Sequence, residues 1–141
     1  MYARIGTYPV EEILTLIIEE PRENLKILLS RSDYKAFVSK SFNGHMVKMD
    51  SLRYQVFKIH GITCVTCGLV GTHFALEAHK PDAVKPNAPY HFNLYGMRNG
   101  KEVMLTKDHI LPKSKGGMDR IDNMQPMCET CNWAKKDSIA A

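Results

Sequence analysis

Residues 106–137 read TKDHILPKSKGGMDRIDNMQPMCETCNWAKKD, and this stretch decides the interpretation of the whole chain. Residue types suited to metal and acid–base chemistry follow one another along it, namely Asp108, His109, the Gly116-Gly117 turn, Asn123, the Cys128-x-x-Cys131 pair and Asn132. A second cysteine pair, Cys64-x-x-Cys67, lies earlier in the chain. We expect the rest of the chain to hold this stretch in shape and to carry it to a substrate.

The two C-x-x-C pairs contain all four cysteines of the 141-residue chain. Two ligands on one tight turn can reach a single tetrahedral zinc ion at about 2.3 Å. A single C-x-x-C also occurs in thioredoxin-like redox motifs, but two pairs without a secretory signal favour metal binding over redox chemistry or disulfides. We therefore predict a structural Zn²⁺ site made by Cys64, Cys67, Cys128 and Cys131. Because 60 residues separate the pairs, the intervening chain must leave this site and return to it.

The composition excludes two classes of protein. A hydrophobic fraction of 44% is too high for a disordered chain. The longest strongly apolar run, residues 13–18, is too short to cross a bilayer. Acids follow closely behind Arg4 and no cleavage-site pattern appears, so we expect no signal peptide, no membrane association and a cytoplasmic location.

The charge is unevenly distributed. The net charge is +4, and residues 21–60 carry eight bases and three acids. A basic segment suits a polyanionic partner because neutralised phosphates release their counterions. The same pattern also fits a solvated helix face, and the charge alone does not separate the two.

Residues 1–48 are predicted to be a helical N-terminal region. The expected helices are an amphipathic one over 9–20, a second over 22–31, and a third capped by Ser32 and closed by Asn43-Gly44. Two short helices joined by a tight turn in a basic region permit a DNA contact like that of a helix-turn-helix. A plain helical cap on the core is the alternative.

Residues 49–141 are predicted to be β-rich. The expected elements are a strand from 52 to 59 leading to Cys64, a strand over 73–77, a hairpin of 90–97 and 101–109, a loop over 112–117, an extended segment over 121–127, and a helix over 129–136. Asn99-Gly100 supports the hairpin because this dipeptide suits a type I′ turn.

Three polar side chains are expected to meet where the hairpin ends and the last helix begins. Asp108 supplies a carboxylate and Asn132 an amide oxygen, which suit a hard divalent cation that keeps water or phosphate as further ligands. His109 has a side chain suited to deprotonating water near neutral pH.

These residues resemble the HNH endonuclease family. The resemblance covers about 64–137 and rests on the order Cys64-x-x-Cys67, Asp108-His109-Ile110-x-Pro112-x-Ser114-x-Gly116-Gly117, Asp122-Asn123 and Cys128-x-x-Cys131-Asn132-x-x-Lys135. It implies an α+β fold with a ββα-metal (HNH or His-Me finger) nuclease core, a zinc knuckle site and the helical N-terminal region. The chain would then divide into that region, 1–48, and a nuclease domain, 49–141.

The resemblance also implies roles for the site residues. His109 is expected to be the general base, Asp108 to bind the catalytic ion, and Asn123 to orient the histidine by hydrogen bonds. The third motif residue is usually histidine and here is Asn132, so the chain is an H-N-N variant. An amide ligand shifts the expected catalytic ion toward Mg²⁺ or Mn²⁺ and away from nitrogen-preferring metals.

The function implied is a DNA endonuclease or nickase that hydrolyses phosphodiester bonds. Basic side chains that flank the site are expected to hold the DNA backbone, namely Lys113, Lys115, Arg120, Lys135 and Lys136. The alternative is a non-catalytic, zinc-stabilised DNA-binding module. Either a monomer or a homodimer fits the sequence. Small stand-alone proteins of this kind are common in phage genomes, in which case the location would be the cytoplasm of a bacterial host cell.

Overall fold

Seven strands and six helices make up residues 1–136, the part of the chain that the computed structural model describes. The strands are β1 (Tyr2–Pro9), β2 (Ser39–Phe42), β3 (His45–Lys48), β4 (Gly71–His79), β5 (His91–Arg98), β6 (Lys101–His109) and β7 (Met124–Cys128). The helices are α1 (Val10–Leu14), α2 (Arg22–Leu28), α3 (Arg31–Val38), α4 (Leu52–His60), α5 (Lys80–Ala83) and α6 (Glu129–Lys135). Two 3₁₀ turns, Lys113–Lys115 and Ile121–Asn123, lie between β6 and β7.

The main sheet has five strands in the order β1-β4-β5-β6-β7, and every neighbouring pair is antiparallel. The predicted hairpin is confirmed, because β5 and β6 pair around Asn99-Gly100. Both turn residues have positive φ, 53° and 75°, as a type I′ turn requires. The predicted C-terminal helix is confirmed as α6. The site stretch therefore sits on β6, β7 and α6.

The hydrophobic core lies on one face of the main sheet, beneath α1 and α4. Phe57 of α4 contacts Phe74 of β4 at 6.2 Å between ring centroids, and Phe74 contacts Phe92 of β5 at 6.1 Å. Leu94 and Leu105 continue this buried layer toward β6. Burying several aromatic rings and leucines against α4 makes this the main packing surface of the domain.

The predicted helical N-terminal region is not evident. Residues 2–9 form β1, the edge strand that pairs along β4 from Tyr2 opposite His79 to Pro9 opposite His73. The helix expected over 9–20 ends at Leu14, and Ile18 donates its backbone N–H to Met49 instead of continuing the helix. A β-bulge between Arg4 and Gly6 and a proline at the strand end are tolerated because β1 is an edge strand of the sheet.

The strand predicted from 52 to 59 is wrong, because these residues form α4. Tyr54, Val56 and Phe57 are all buried, so the burial does not alternate as in a half-exposed strand. The Ser51 hydroxyl accepts from the Tyr54 N–H at the start of the helix, and Gly61 ends it with a φ of 104°. Aromatic and β-branched composition favoured a strand, but the cap and the tertiary packing favour the helix.

The end of the third predicted helix is also different. Asn43-Gly44 does not close a helix but forms the turn of the β2-β3 hairpin, with φ angles of 50° and 82°. The helix α3 is capped by Ser30, whose hydroxyl accepts from the Asp33 N–H, and not by Ser32. The dipeptide therefore has the same role here as at Asn99-Gly100.

No helix within residues 1–136 is long and apolar enough to cross a membrane. The division of the chain at residue 48 stays a prediction, although β1 hydrogen-bonds along β4, which lies beyond that point. Residues 137–141, which include Asp137 at the end of the predicted site stretch, lie outside the described residues.

Asp50 ties α2 and α3 to the rest of the fold. It is almost completely buried, and it accepts hydrogen bonds from the Arg22 guanidinium, at 2.7 and 3.0 Å, and from the Tyr34 hydroxyl. Burial raises the pKa of the Asp50 carboxyl, but the hydrogen bonds from Arg22 and Tyr34 outweigh burial and hold the pKa below its ordinary value.

We expect Asp50→Asn to lower the free energy of unfolding at neutral pH by about 1–3 kcal/mol. A carboxyl with a lowered pKa stabilises the fold above its unfolded-state pKa, and this stabilisation is lost as the pH falls through the folded-state pKa. The variant should therefore lose less stability on acidification than the wild type, as measured by urea denaturation at neutral and acidic pH. Asp82→Asn is the control, because Asp82 is partly exposed and pairs with the exposed Lys85 at the surface. Equal acid sensitivity of wild type and Asp50→Asn would contradict this account.

Candidate active site

The end of β6 places two successive side chains in different surroundings. Asp108 lies opposite Gln125 of β7 and is only 6% exposed, and the Gln125 amide donates to its carboxylate at 3.0 Å. His109 lies opposite Met124 and is partly exposed. Neighbouring residues of a strand point to opposite faces. The adjacent Asp and His of the motif are thus separated into a buried carboxylate and an accessible imidazole.

Helix α6 packs across this strand end through two polar side chains. Asn132 donates from Nδ2 to Thr106 Oγ1 at 2.9 Å. One turn later, Lys135 Nζ lies 3.1 Å from Asp108 Oδ2 and donates to the His109 carbonyl at 2.9 Å. Residues three apart on a helix share a face, and so do residues two apart on a strand. The spacing of Asn132 and Lys135 therefore matches that of Thr106 and Asp108.

Asn123 closes the loop that joins β6 to β7. Its Oδ1 accepts from the Leu111 N–H at 2.9 Å, while its Nδ2 donates to the carbonyls of Leu111, at 3.1 Å, and Met118, at 2.9 Å. Its backbone carbonyl accepts from the Ile110 N–H. These bonds hold the backbone on both sides of the loop directly after His109. The predicted orienting role of Asn123 stays a prediction, and these contacts show that it fixes the chain that follows the histidine.

An aspartate that the sequence did not single out contacts the histidine. His109 Nε2 lies 2.6 Å from Asp119 Oδ1, and Lys113 Nζ lies 3.0 Å from Asp119 Oδ2. Hydrogen bonds from His109 and then Lys113 lower the pKa of Asp119 below its ordinary value. Asp119 is therefore an anion near neutral pH, held against the imidazole.

A cavity of about 250 Å³ opens at this point. Three of the four predicted catalytic residues, Asp108, His109 and Asn132, line it together. Its remaining lining residues are mostly basic or hydroxylic, namely Lys107, Pro112, Lys113, Ser114, Lys135 and Lys136. A carboxylate and an amide oxygen are ligands that Mg²⁺ and Mn²⁺ prefer, so the donor set fits a hard divalent cation. The lysines suit an anionic substrate.

The five predicted DNA-contacting cations do not occupy equivalent places. Lys113, Lys115, Arg120 and Lys136 are exposed, but only Lys113 and Lys136 of these four line the cavity, whereas Arg120 lines a separate one. Lys113 pairs with Asp119, Arg120 lies 3.5 Å from Asp122, and Lys136 stands over the Trp133 ring. Lys135 differs, because its side chain is only 9% exposed and its ammonium group contacts the Asp108 carboxylate. Lys135 therefore acts within the site, as the partner of Asp108, and not as an exposed DNA-contacting cation.

The four cysteines form one cluster, with all their sulfur atoms within 4.8 Å of one another. Cys67 and Cys128, from the two separate pairs, have sulfurs 3.8 Å apart. Four sulfurs bonded at about 2.3 Å to one tetrahedral ion lie about 3.8 Å from each other. The cluster therefore has the ligand number, chemistry and spacing of a structural zinc site.

Backbone hydrogen bonds shape the cysteine cluster. The Cys64 N–H donates to the Leu69 carbonyl at 2.8 Å, and the Gly68 N–H donates to the Cys64 carbonyl at 3.0 Å in a turn where Gly68 has a φ of 81°. A hydrogen bond from the Leu69 backbone, reinforced by the Arg98 guanidinium 2.8 Å from Sγ, lowers the pKa of Cys67 to about 6. A thiolate, which is the form that binds metal, is thus favoured at Cys67.

The cluster is also connected to the cavity. The Cys128 sulfur caps the start of α6 by accepting from the Cys131 N–H at 3.4 Å, and the next residue is Asn132. The Val65 N–H donates to the Pro126 carbonyl of β7, which fixes the first cysteine turn to the same strand. The position of Asn132 therefore depends on the cluster.

Sequence reasoning missed Thr106, Asp119 and Gln125, and it gave Lys135 a different role. Thr106 and Gln125 follow from strand geometry, since one lies two residues before Asp108 and the other directly opposite it. Gln125 can be identified as a partner of Asp108 only once the register between β6 and β7 is known. Asp119 lies ten residues after His109, and only the closed loop brings the two together.

A comparison with protein families matches residues 97–141 to the HNH endonuclease family. The matched segment contains Asp108, His109, Asn123 and Asn132, so the resemblance seen in the motif is confirmed for this segment. Cys64 and Cys67 lie outside the match, and the evidence for a zinc site is therefore the geometry of the cluster. Searches of curated proteins and of solved structures gave no match to the chain.

Lys135→Met tests the buried pair within the cavity. The substitution leaves the Asp108 carboxylate without its ammonium partner, and we expect the free energy of unfolding to fall by about 2–4 kcal/mol. In the double variant with Asp108→Asn, the loss should be smaller than the sum of the single losses by about 1–3 kcal/mol. Urea denaturation without added Mg²⁺ or Mn²⁺ measures both quantities.

The matched control is Lys136→Met, which removes the neighbouring exposed cation. We expect it to change stability much less than Lys135→Met does. Equal losses for the two lysine variants, or strict additivity with Asp108→Asn, would show that the buried contact does not stabilise the fold.

Proposed function

We propose that this chain, whose residues 97–141 match the HNH endonuclease family, is a DNA endonuclease or nickase that uses a divalent ion and a histidine base. One observation carries the proposal: Asp108, His109 and Asn132 line a single cavity inside the matched segment. In this proposal, β6, β7 and α6 form the ββα-metal core. Asp108 and His109 lie at the end of β6, and Asn132 lies on α6.

The proposed chemistry is hydrolysis of a phosphodiester bond by water. His109 takes a proton from the water as its oxygen attacks phosphorus, and the bond to the 3′ oxygen breaks with its electron pair on that oxygen. The products are a 3′-hydroxyl, which takes a proton from solvent, and a 5′-phosphate. Asp108 and Asn132 would hold Mg²⁺ or Mn²⁺, which when bound supplies positive charge against the phosphate and the leaving oxygen.

The exposed cations of this segment have a separate proposed role. Lys113 and Lys136 line the cavity, Lys115 and Arg120 are exposed elsewhere, and all four can contact backbone phosphates of bound DNA. Such contacts increase affinity and are weakened by salt, but they do not read sequence. Lys135 contacts the Asp108 carboxylate instead and is not one of these proposed phosphate-binding residues.

A non-catalytic DNA-binding module is the second candidate, and the two partners of Asp108 favour it. A buried carboxylate without an ion would be costly, but Lys135 and Gln125 already compensate the charge of Asp108. The fold therefore does not require a divalent ion in the cavity. Cleavage and binding must be measured separately to distinguish an enzyme from a module that has kept its shape.

Plasmid cleavage tests the proposed function. Wild-type protein with supercoiled DNA and Mg²⁺ or Mn²⁺ is expected to give nicked or linear product. We expect His109→Ala to reduce the rate by about 100-fold or more, because positioned acid–base groups contribute roughly that much, and to leave DNA affinity nearly unchanged. His79→Ala is the control, since His79 lies on β4 against Tyr2, outside the cavity. Binding without cleavage by the wild type across metals would favour the non-catalytic module.

A structural zinc ion in the cysteine cluster is the second part of the proposal. Protein purified without added metal should contain about one zinc per chain by elemental analysis. Cys128→Ser removes a ligand that also caps α6. We expect this variant to bind no zinc and to show no cooperative unfolding transition. Arg98→Met is the control that keeps all four ligands and should retain the metal. Wild-type protein with no zinc and four freely titrating thiols would contradict the assignment.

A further inference from the structure

The contact between His109 and Asp119 is part of a built arrangement. The distance from His109 Nε2 to Asp119 Oδ1 is 2.6 Å, and the second oxygen of the same carboxylate is held by Lys113 Nζ at 3.0 Å. Both carboxylate oxygens therefore have partners. An aspartate held in this way can accept a hydrogen bond from an imidazole N–H, and this holds the ring in one orientation.

The loop between β6 and β7 can take this path only with particular residues. A Cβ at Gly117 would lie 1.7 Å from the Leu111 carbonyl oxygen, so only glycine allows the two backbones to meet. Gly116 has a φ of 91°, which also favours glycine. Asn123 then joins Leu111 to Met118, the residue before Asp119. The two glycines and Asn123 together give the loop the path that places the Asp119 carboxylate beside the His109 imidazole.

We propose that Asp119 is a positioning residue for His109, and this rests on the proposed function. The His109 Nε2–H donates to the Asp119 carboxylate, which selects the tautomer whose Nδ1 carries no proton. Nδ1 is then the nitrogen that accepts the proton of the attacking water. In the resting state a neutral imidazole has one donor and one acceptor nitrogen, so fixing the donor also fixes the base.

The proposed role differs from that of Asn123. Asn123 bonds backbone atoms of the loop, whereas Asp119 contacts the imidazole itself. A carboxylate that orients a histidine base and stabilises its protonated form is an established way to strengthen such a base. Loss of the carboxylate should therefore slow proton transfer without weakening DNA binding.

Nitrogen NMR of the full chain with ¹⁵N-labelled histidine tests the tautomer directly. In mildly alkaline buffer, the wild-type His109 signals should be those of the Nε2–H form, with His109→Ala used for assignment. Asp119→Asn should give a mixture of tautomers, because an amide can accept or donate. Asp119→Glu keeps the carboxylate and should restore the Nε2–H form.

Kinetics on plasmid DNA give the second readout. We expect Asp119→Asn to lower kcat by about 10- to 100-fold, a part of what the base itself contributes, with DNA affinity equal or higher because a negative charge is lost. Asp119→Glu should recover part of the rate. The matched control is Asp122→Asn, which neutralises an exposed acid of the same loop that pairs with Arg120 and not with His109.

The outcomes separate the two proposals. An Nδ1–H tautomer in the wild type, or an Asp119→Asn variant with wild-type tautomer and rate, would overturn the positioning role. If the Nε2–H form depends on Asp119 but no protein cleaves DNA, the positioning contact stands and the endonuclease proposal fails. An equal loss of rate in Asp122→Asn would also overturn the specific role of Asp119, since it would reflect loop charge alone.

Discussion

Lys135 bridges the two residues at the end of β6, and the geometry of the candidate site depends on this bridge. Its ammonium group contacts the Asp108 carboxylate and the His109 carbonyl. The helix that carries it, α6, has only seven residues and is too short to be stable alone. Its orientation therefore comes from contacts at both ends: the cysteine cluster at its start and Lys135 at its finish. Asn132 lies between them, which is why its amide reaches the face of the strand.

The loop after His109 shows why an asparagine suits position 123. Its amide oxygen accepts from the Leu111 N–H while its amide nitrogen donates to the Leu111 carbonyl, as a paired backbone would. An ionised aspartate has no donor for the second bond, and a histidine ring cannot place a donor and an acceptor side by side. The motif asparagine thus acts on the backbone that brings Asp119 back to the imidazole. In this way a residue outside the cavity lining shapes it.

The sequence predicted the C-terminal part of the fold better than the N-terminal part, for a physical reason. Around Asn99-Gly100 the turn residues and both flanking strands agree. The same dipeptide at 43–44 comes soon after a helical pattern, which predicts a helix end there, but in the structure it joins β2 to β3. The strand β1 was missed because its pairing partner, β4, lies some 70 residues away and its own pattern contains a glycine and a proline. For α4, aromatic and branched residues favoured a strand until burial on the sheet decided otherwise.

The dependence on contacts that are distant in sequence also limits what could be predicted of the candidate site. The residue types of the cavity could be chosen from spacing, but their partners follow from strand register and loop closure, which no local pattern encodes. Asp108 and Asn132 lie in one continuous segment of β6, β7 and α6, and the Lys135 ammonium group already balances the Asp108 carboxylate. A divalent ion in the cavity would therefore add little to the stability of the fold. The cysteines instead join segments 60 residues apart, with Arg98 as a nearby cation. Closing so long a loop costs chain entropy that an ion held by four thiolates can offset. The proposed zinc therefore serves folding and the proposed divalent ion serves chemistry, and the two sites are connected through α6 and β7.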